Sequence, residues 1–499
     1  MRKLDYLLCF FLSTLAFISR TPIVEKFQSH WDGPDYSIAV VRYSLQQDTP
    51  TSPGYPLYIA LGKFFYIFFH DPHVAILAVS VLGSIAGVIV FYLVGKALFN
   101  RSVGIIASVL LLTGSTFYYF GLTPYAYGLL PATTTILAYS VYRIIFKNKQ
   151  EGFFFGLIFG ICFGIRPQET LFIGPLAAVG VLYLNKKQKI YAALVFSVIT
   201  LIWLIPLIAI SGGLTKYIEA NLSAAKNDFA GVQLIQRIVI MIKGFLLSFG
   251  ISSIFLLYYI IKFLKTKNIS QWRWIFFYGI WIIPGFCFNL FIRTDHAGYQ
   301  MSYLAGFLLL ISYAVWRTTQ KSKFLMGIVI LAIALFNLYW FFYNRDPNYT
   351  KPYRPTSFHY SDIRKNDLKV GSKVTFIQER FNPKSTLIIA LDVLWRPYSY
   401  YLKSYPFVVI FGLDNKDIPY IYNRIDAIDW NIHWYQTRDF TISIPSNIST
   451  IVFVDDNVYK WIKNYPYKKY FLYGNSIITS ISVKPTSKII FKYHALSVE

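Results

Sequence analysis

Tyr55-Pro56-Leu57-Tyr58-Ile59-Ala60-Leu61-Gly62-Lys63-Phe64-Phe65-Tyr66-Ile67-Phe68-Phe69 is the stretch on which the topology of the chain turns. It is apolar apart from Lys63 and stops at His70-Asp71-Pro72. A helix that crosses the hydrocarbon core needs about 20 apolar residues. This run falls short and carries a cation, so its pattern predicts a helix lying in, or dipping into, the outer interface. Counted as a crossing, it would invert every loop that follows. The charges of those loops therefore decide the fold.

Around this stretch, long apolar runs recur from residue 4 to residue 343 and then stop. Charged residues make up only 14% of the 499, against about 25% in soluble proteins. The expected fold class is an α-helical polytopic membrane protein, because only a helix satisfies its own backbone in lipid. About eleven spans are expected: 4–19, 74–96, 103–119, 124–144, 152–166, 168–185, 190–211, 237–263, 272–293, 301–317 and 324–343. The stretch 36–46 reads as a second interfacial helix. The opening Met1-Arg2-Lys3 and its apolar run close on Phe17-Ile18-Ser19-Arg20. No small-x-small cleavage site ends that run, so it reads as an uncleaved first helix, not a signal peptide.

The net charge is +24. In a soluble protein that excess would point to nucleic acid. Here the cations fall in short loops. With the N-terminus in the cytoplasm, the inside loops hold Lys96 and Arg101; Arg143, Lys147 and Lys149; Lys186, Lys187 and Lys189; Lys262, Lys265 and Lys267; Arg317, Lys321 and Lys323. This is the positive-inside pattern, and it supports the interfacial reading of 55–69. Part of the charge suits anionic membrane lipids, and no nucleic-acid partner is expected. The chain is expected in the plasma (inner) membrane as a multi-pass protein, N-terminus cytoplasmic and C-terminal tail outside. Cys9, Cys162 and Cys287 all lie in apolar segments, so neither a disulfide framework nor a cysteine metal site is expected.

The unusual polar groups all fall on the face opposite the cations. The first is His30-Trp31-Asp32-Gly33-Pro34-Asp35-Tyr36, directly after the first apolar run. Carboxylates beside lipid are costly and so suggest function, although a solvated loop reads the same way by position alone. Asp32 and Asp35 are three apart, so at a helix start both can reach one ligand. One of them can serve as general base on an acceptor hydroxyl. Asp-x-x-Asp also suits a divalent cation, but the outside loops supply no further ligand set, and no metal or other cofactor is expected. Arg166 and Arg293 stand at outward helix ends, where an Arg fork matches phosphate oxygens and where snorkelling is the plain alternative. Arg166 runs straight into Pro167, a tight re-entry that favours function. Glu169 is placed to orient Arg166. His296 is a candidate proton relay or a structural histidine. Tyr125 and Tyr299 complete the set.

The tail 344–499 is different in kind. Strand-like runs at Ser385 to Ala390 and Phe407 to Phe411 flank a helix-like Trp395 to Tyr401, with further strand-like runs at Thr450 to Val454 and Ile489 to Tyr493. Strand, helix, strand predicts a small α/β domain. Residues 1–343 then form the membrane domain, with 20–73 as its first outer loop, and 344–499 an extracytoplasmic domain.

In their order and spacing these motifs resemble the GT-C glycosyltransferases. Trp31-Asp32, followed by Pro53-Gly54-Tyr55-Pro56-Leu57-Tyr58 and Gly62-Lys63, resembles the first outer loop of that superfamily. Gly164-Ile165-Arg166-Pro167 resembles its re-entry motif. Gly212-Gly213 with Tyr217, Ala297-Gly298-Tyr299 and Tyr400-Tyr401-Leu402 resemble landmarks of a bacterial branch. The resemblance implies transfer of a sugar from a polyprenyl-phosphate donor to an acceptor hydroxyl, with inversion and without a nucleotide. Asp32 best matches the acidic base of the family's first outer loop, and Asp35 has no matched position. Arg166, Arg293 and Lys63 would hold the donor phosphate. Glu169, His296, Tyr299, Tyr125 and Tyr55 would line the substrate. Thr51-Ser52 stands where many relatives have a basic residue, which leaves the contact to Lys63. The acceptor is a glycan, lipid or protein. Three rival readings stay open: a transporter or flippase of lipid-linked sugars, a ligase using a diphosphate-lipid donor, and a non-catalytic protein whose tail binds glycan.

Overall fold

The computed structural model describes residues 3–28, 32–47, 49–228, 233–266, 272–292, 297–343, 358–391, 395–411, 420–424, 433–436, 440–460, 462, 465–484, 487–492 and 495–498. The chain divides into two compact units. One comprises Met1–Val24, Ala39–Thr350 and Arg354–Asp362; the other comprises Glu25–Ile38, Lys351–Tyr353 and Ile363–Glu499.

Helices run in order as α1 (Lys3–Arg20), α2 (Asp32–Val41), α3 (Pro56–Phe69), α4 (Pro72–Leu98), α5 (Arg101–Thr113), α6 (Ser115–Phe120), α7 (Leu130–Lys147), α8 (Gly152–Ile165) and α9 (Glu169–Leu182). They continue as α10 (Lys186–Ile210), α11 (Leu214–Asp228), α12 (Leu234–Phe249), α13 (Ser253–Thr266), α14 (Trp272–Phe291), α15 (Met301–Thr319) and α16 (Lys323–Tyr343). In the first unit α4 and the segment Ala297–Thr319 are the centre: 67% and 78% of their apolar windows are buried, against 17% for α10 and α16. The outer helices turn bare Phe, Leu and Ile outward, as helices in lipid do. Several helices are long and apolar enough to cross a membrane, and this is a multi-pass membrane protein.

Lipid gives apolar side chains no reason to leave it, so helices associate where small residues let backbones touch. On α8, Gly152, Gly156 and Gly160 lie in one row against α10. A Cβ on them would come within 2.0 Å of the Gln188 carbonyl oxygen, 2.4 Å of the Ala192 carbonyl oxygen and 2.8 Å of Ile199. Gly164 continues the row against Leu57 of α3, at 2.6 Å. α3 is thereby held on α8 as well as on α4.

Three expected spans are revised. The run 103–119 breaks at Gly114, where a Cβ would lie 2.4 Å from the Ser248 carbonyl oxygen of α12. The run 237–263 breaks at Gly250, whose φ of +53 no continuing helix can adopt. The run 124–144 becomes helical only at Leu130, because 123–129 is spent on turns. The expected interfacial helix at 36–46 begins earlier, at Asp32. The run 55–69 is a short helix, α3, with Phe64, Ile67 and Phe68 exposed.

The second unit adds α17 (Tyr360–Arg380), β1 (Thr386–Ala390), α18 (Trp395–Tyr401), β2 (Phe407–Phe411), β3 (Tyr420–Arg424), β4 (His433–Gln436), β5 (Phe440–Ser443), β6 (Thr450–Phe453), β7 (Lys468–Phe471), β8 (Ile477–Ser482), β9 (Lys488–Lys492) and β10 (Ala495–Val498). A mixed seven-stranded sheet has the order β4-β3-β2-β1-β6-β8-β7, with β1 parallel to β2 and β6; a second sheet has the order β10-β9-β5. The α/β expectation holds, and α17 is an element the sequence reading passed over. Its Val370, Val374 and Ile377 pack on one face of the large sheet. Lys373, buried among them, donates to the Val454 carbonyl at 2.5 Å and to Asp456 at 2.7 Å. Burial lowers the Lys373 ammonium below its usual range. Burial alone would raise the Asp456 carboxyl, but Lys373 outweighs it and holds that group low.

The unit boundary differs from the expected break at 343/344. Residues 25–38 belong with the tail, and the contacts within that unit explain it. The backbone N–H groups of Lys26 and Phe27 both donate to Asp367 at 2.8 Å, and that of Gln28 donates to the Tyr401 hydroxyl at 2.8 Å. The Phe27 ring packs on Tyr401 and against Gly371, where a Cβ would lie 2.7 Å away.

Replacing Gly156 with Leu forces α8 off α10 and is expected to lower the thermal-unfolding midpoint by several degrees in lipid nanodiscs, followed by tryptophan fluorescence. Gly327→Ala, where nothing lies within 4 Å of the new Cβ, is the control and leaves the midpoint unchanged.

Candidate functional site

Residues 165–169 turn the chain from α8 into α9. Proline disfavours a helical conformation in the residue before it, so α8 stops at Ile165 and Arg166 is extended, with φ −149 and ψ 98. Glu169 then opens α9. This turn throws the Arg166 side chain inward, where it is 0% exposed.

The guanidinium has two distinct edges. Its Nη1 donates to Glu169 Oε1 at 2.5 Å, and the other oxygen of Glu169 accepts from the Ser302 hydroxyl at the start of α15. Aromatic rings lie around it: Cζ is 5.0 Å from the centre of Tyr127 and 4.8 Å from Tyr299, with Phe172 at 5.9 Å. The remaining edge, Nε and Nη2, has no hydrogen-bond partner among the described residues. Leaving two such donors buried and unpaired costs about 1–3 kcal/mol each. That edge is the fork that takes two oxygens of a phosphate or carboxylate.

The aromatic wall is held by hydrogen bonds. Tyr125 and Tyr127 stack at 5.6 Å, and Tyr127 meets Tyr299 at 6.0 Å. Ser80 of α4 donates to the Tyr125 carbonyl at 2.9 Å and lies 3.0 Å from the Tyr58 hydroxyl of α3. Tyr55 caps α3 in the left-handed region, with φ 51, and lies within electrostatic range of Arg166. The structure therefore brings together Arg166, Glu169, Tyr55, Tyr125 and Tyr299. Lys63 is not in the group. It sits on the exposed face of α3, about 9 Å further along the helix from Leu57, the residue that packs on Gly164. Arg293 and His296 lie outside the described residues.

In the second unit, Asp32 and Asp35 share the first turn of α2, where the helix dipole favours acids. Their surroundings differ. Asp35 is 1% exposed and ion-paired to Arg396 of α18, itself 4% exposed. Asp32 is half-buried. Among the described residues, no three His, Cys, Asp or Glu side chains gather as a metal site would need.

A family model described as dolichyl-phosphate-mannose-protein mannosyltransferase matches residues 49–210. No curated protein matches the chain by sequence. Among solved structures, ArnT from Cupriavidus metallidurans in the apo state is similar with a TM-score of 0.58 at 11% identity, over 96% of this chain and 97% of that one. The same protein bound to undecaprenyl phosphate gives 0.59 at 10% identity, over the same shares. The oligosaccharyltransferase of Archaeoglobus fulgidus gives 0.46 at 11% identity, over 98% of this chain and 76% of that one.

The fold is that of the ArnT structures. This likeness of fold extends across nearly the whole chain, and the family match falls on the segment 49–210 that carries the Pro53 to Lys63 and Gly164 to Pro167 motifs. Three residues of the chain were not among the expected site residues. Tyr127 stood two residues from Tyr125 and could have been found by pairing the two rings in one turn. Ser302 stood three residues after Tyr299. Arg396 pairs with Asp35 across 361 residues, and no local signal announces that.

Truncating Asp35 to Ala strands a buried guanidinium and is expected to destabilise the tail unit by about 3–5 kcal/mol. The exchange of Asp35→Arg with Arg396→Asp should recover part of it. Asp32→Asn should leave the unfolding midpoint within a degree or so, since its carboxylate is only half-buried. Scanning fluorimetry on the purified protein separates these outcomes.

Proposed function

We propose that this protein is a GT-C-type glycosyltransferase moving a sugar from a polyprenyl-phosphate donor to an acceptor hydroxyl on the extracytoplasmic face of the membrane. The observation that carries the reading is the buried Nε–Nη2 edge of Arg166, beside Tyr127 and Tyr299 and with no partner among the described residues. A phosphate monoanion or diester offers the oxygens that this fork requires. The 49–210 family match and the ArnT structure with undecaprenyl phosphate support the donor class.

Glu169 neutralises Arg166, so a bound phosphate needs a second cation. Arg293 is assigned that part. Asp32 is assigned as base. Its carboxylate takes the proton of the acceptor hydroxyl while that oxygen bonds to the anomeric carbon. The bond from that carbon to the phosphate oxygen breaks, and the electron pair leaves with the polyprenyl phosphate. A single displacement of this kind inverts the anomeric centre. The Arg166 fork stabilises the charge gained by the departing phosphate, an interaction stronger in the transition state than before it. Asp35 keeps the first turn of α2 in place through Arg396 and takes no proton.

The test is transfer of radiolabel from a panel of polyprenyl-phosphate sugars to membrane extract, with protein in lipid discs. Asp32→Asn should lose at least about 100-fold in rate, as loss of a general base does. Arg166→Lys keeps the charge but not the fork, and kcat/KM should fall by about 100-fold. Retained transfer in Asp32→Asn would overturn the base assignment. Saturable donor binding without transfer by the wild type would favour a transporter instead. Adding a chelator should leave the wild-type rate unchanged, since no metal is assigned a role.

A further inference from the structure

We infer that Ser302 keeps the phosphate fork of Arg166 open by occupying the second oxygen of Glu169, and that Trp281 and Asn289 of α14 hold it there. All three are positioning residues, and none is assigned a contact with donor or acceptor. The inference rests on the proposed phosphate contact of Arg166 and adds what preserves that contact.

A carboxylate beside a guanidinium readily takes two parallel hydrogen bonds, one on each oxygen. Glu169 takes only one. Its Oε1 accepts from Nη1 of Arg166 at 2.5 Å, and its Oε2 accepts from the Ser302 hydroxyl. Arg166 and Glu169 are 0% exposed and Ser302 1%, so bulk water does not compete. Without the hydroxyl, Oε2 would be a buried acceptor with nothing to accept from, which is costly. Its remedy is on the guanidinium that Oε1 already touches, whose Nε and Nη2 have no partner among the described residues. Rotation of the carboxylate or the guanidinium would then give a closed, two-bonded pair. No open fork would remain for a phosphate.

Ser302 is itself held through the backbone. It stands at the start of α15, just after the single turn Ala297–Gln300. The indole Nε1 of Trp281 donates to the Ser302 carbonyl at 3.1 Å, and Nδ2 of Asn289 donates to the Tyr299 carbonyl at 3.2 Å. Gln300 Nε2 adds a third tie, to the Ile240 carbonyl of α12 at 3.3 Å. Trp281 and Asn289 are both buried. Asparagine between helices in lipid commonly serves as glue. Here its Oδ1 has no partner among the described residues, a cost that leucine would avoid. The asparagine is kept for the carbonyl its Nδ2 reaches. That carbonyl belongs to Tyr299, whose ring lies 4.8 Å from Arg166 Cζ.

Farnesyl phosphate is the probe, added to the full-length protein in lipid discs and followed by calorimetry, with farnesol as the control that lacks the phosphate. The wild type should bind farnesyl phosphate more tightly than farnesol, and Arg166→Lys should lose most of that difference. Ser302→Ala should weaken farnesyl phosphate binding by about tenfold, the size that supporting hydrogen bonds have around bound metal ions. Trp281→Phe keeps a ring, loses the N–H and should act in the same direction; it carries the test if Ser302→Ala does not fold. In a Glu169→Gln background, Ser302→Ala should change binding by less than about twofold, because no carboxylate is left to close on the fork. A merely structural serine would weaken binding by the same factor in both backgrounds. That result, or unchanged binding in Ser302→Ala and Trp281→Phe, would overturn the proposal. If Arg166→Lys binds like the wild type, the phosphate contact falls and this inference falls with it. Absence of transfer with the binding pattern intact counts against the transferase reading alone.

Discussion

A guanidinium with no access to water is the constraint around which the membrane unit is arranged. Arg166 is wholly buried, and an isolated charge there would cost several kcal/mol. Glu169 removes most of that cost through Nη1, and the neighbouring rings of Tyr127 and Tyr299 lie against the cation. The pair is possible only because Pro167 stops α8 one residue early and α9 starts two residues later. Everything that must approach this turn does so by close packing. The glycine row on α8 admits α10 and α3, and the hydroxyl of Ser302 comes to the far oxygen of Glu169 from α15. One compensated edge and one open edge make a different object from an ordinary structural ion pair, in which both edges would be satisfied.

The tail unit solves a comparable problem in another way. Asp35 and Arg396 are both nearly inaccessible, and each is the other's counter-charge. Asp367 meanwhile takes the backbone N–H groups of Lys26 and Phe27, and burial holds its carboxyl above the usual range. The segment 25–38 is therefore part of the tail unit by its bonding, although it precedes most of the membrane helices in sequence. Two acids three residues apart on α2 are in this way given unequal environments. The buried one fixes the helix, and the half-buried one keeps a carboxylate that solvent can reach.

The sequence made the membrane helices legible because their signal is composition over twenty residues, which no tertiary contact can disguise. It also delimited α3, from the early stop at His70, and it marked Arg166 and Glu169 through the proline between them. What it hid was whatever depends on a distant neighbour. Gly114 interrupts an apolar run because the Ser248 carbonyl passes 2.4 Å from where its Cβ would be, and nothing near Gly114 reports that. The helix α17 reads as a polar linker until Val370, Val374 and Ile377 are seen to face one way. The strands β3 to β5 are short and alternate weakly. Arg396, which pairs with Asp35, and Ser302, the second partner of Glu169, lie 361 and 133 residues away.

Lys63 and Arg166 show how position outweighs charge in assigning a phosphate contact. Both are cations at the end of a motif, and the sequence treats them alike. Lys63 is exposed on α3 and makes no hydrogen bond among the described residues. An ammonium so placed is hydrated and flexible, and it would gain little from a phosphate that water already serves. Arg166 is stripped of water, pinned at one edge and packed against aromatic rings. Its second edge has nothing to lose and two charge-assisted hydrogen bonds to gain. Desolvation and preorganisation, more than the count of positive residues, make Arg166 the group on which phosphate recognition would rest.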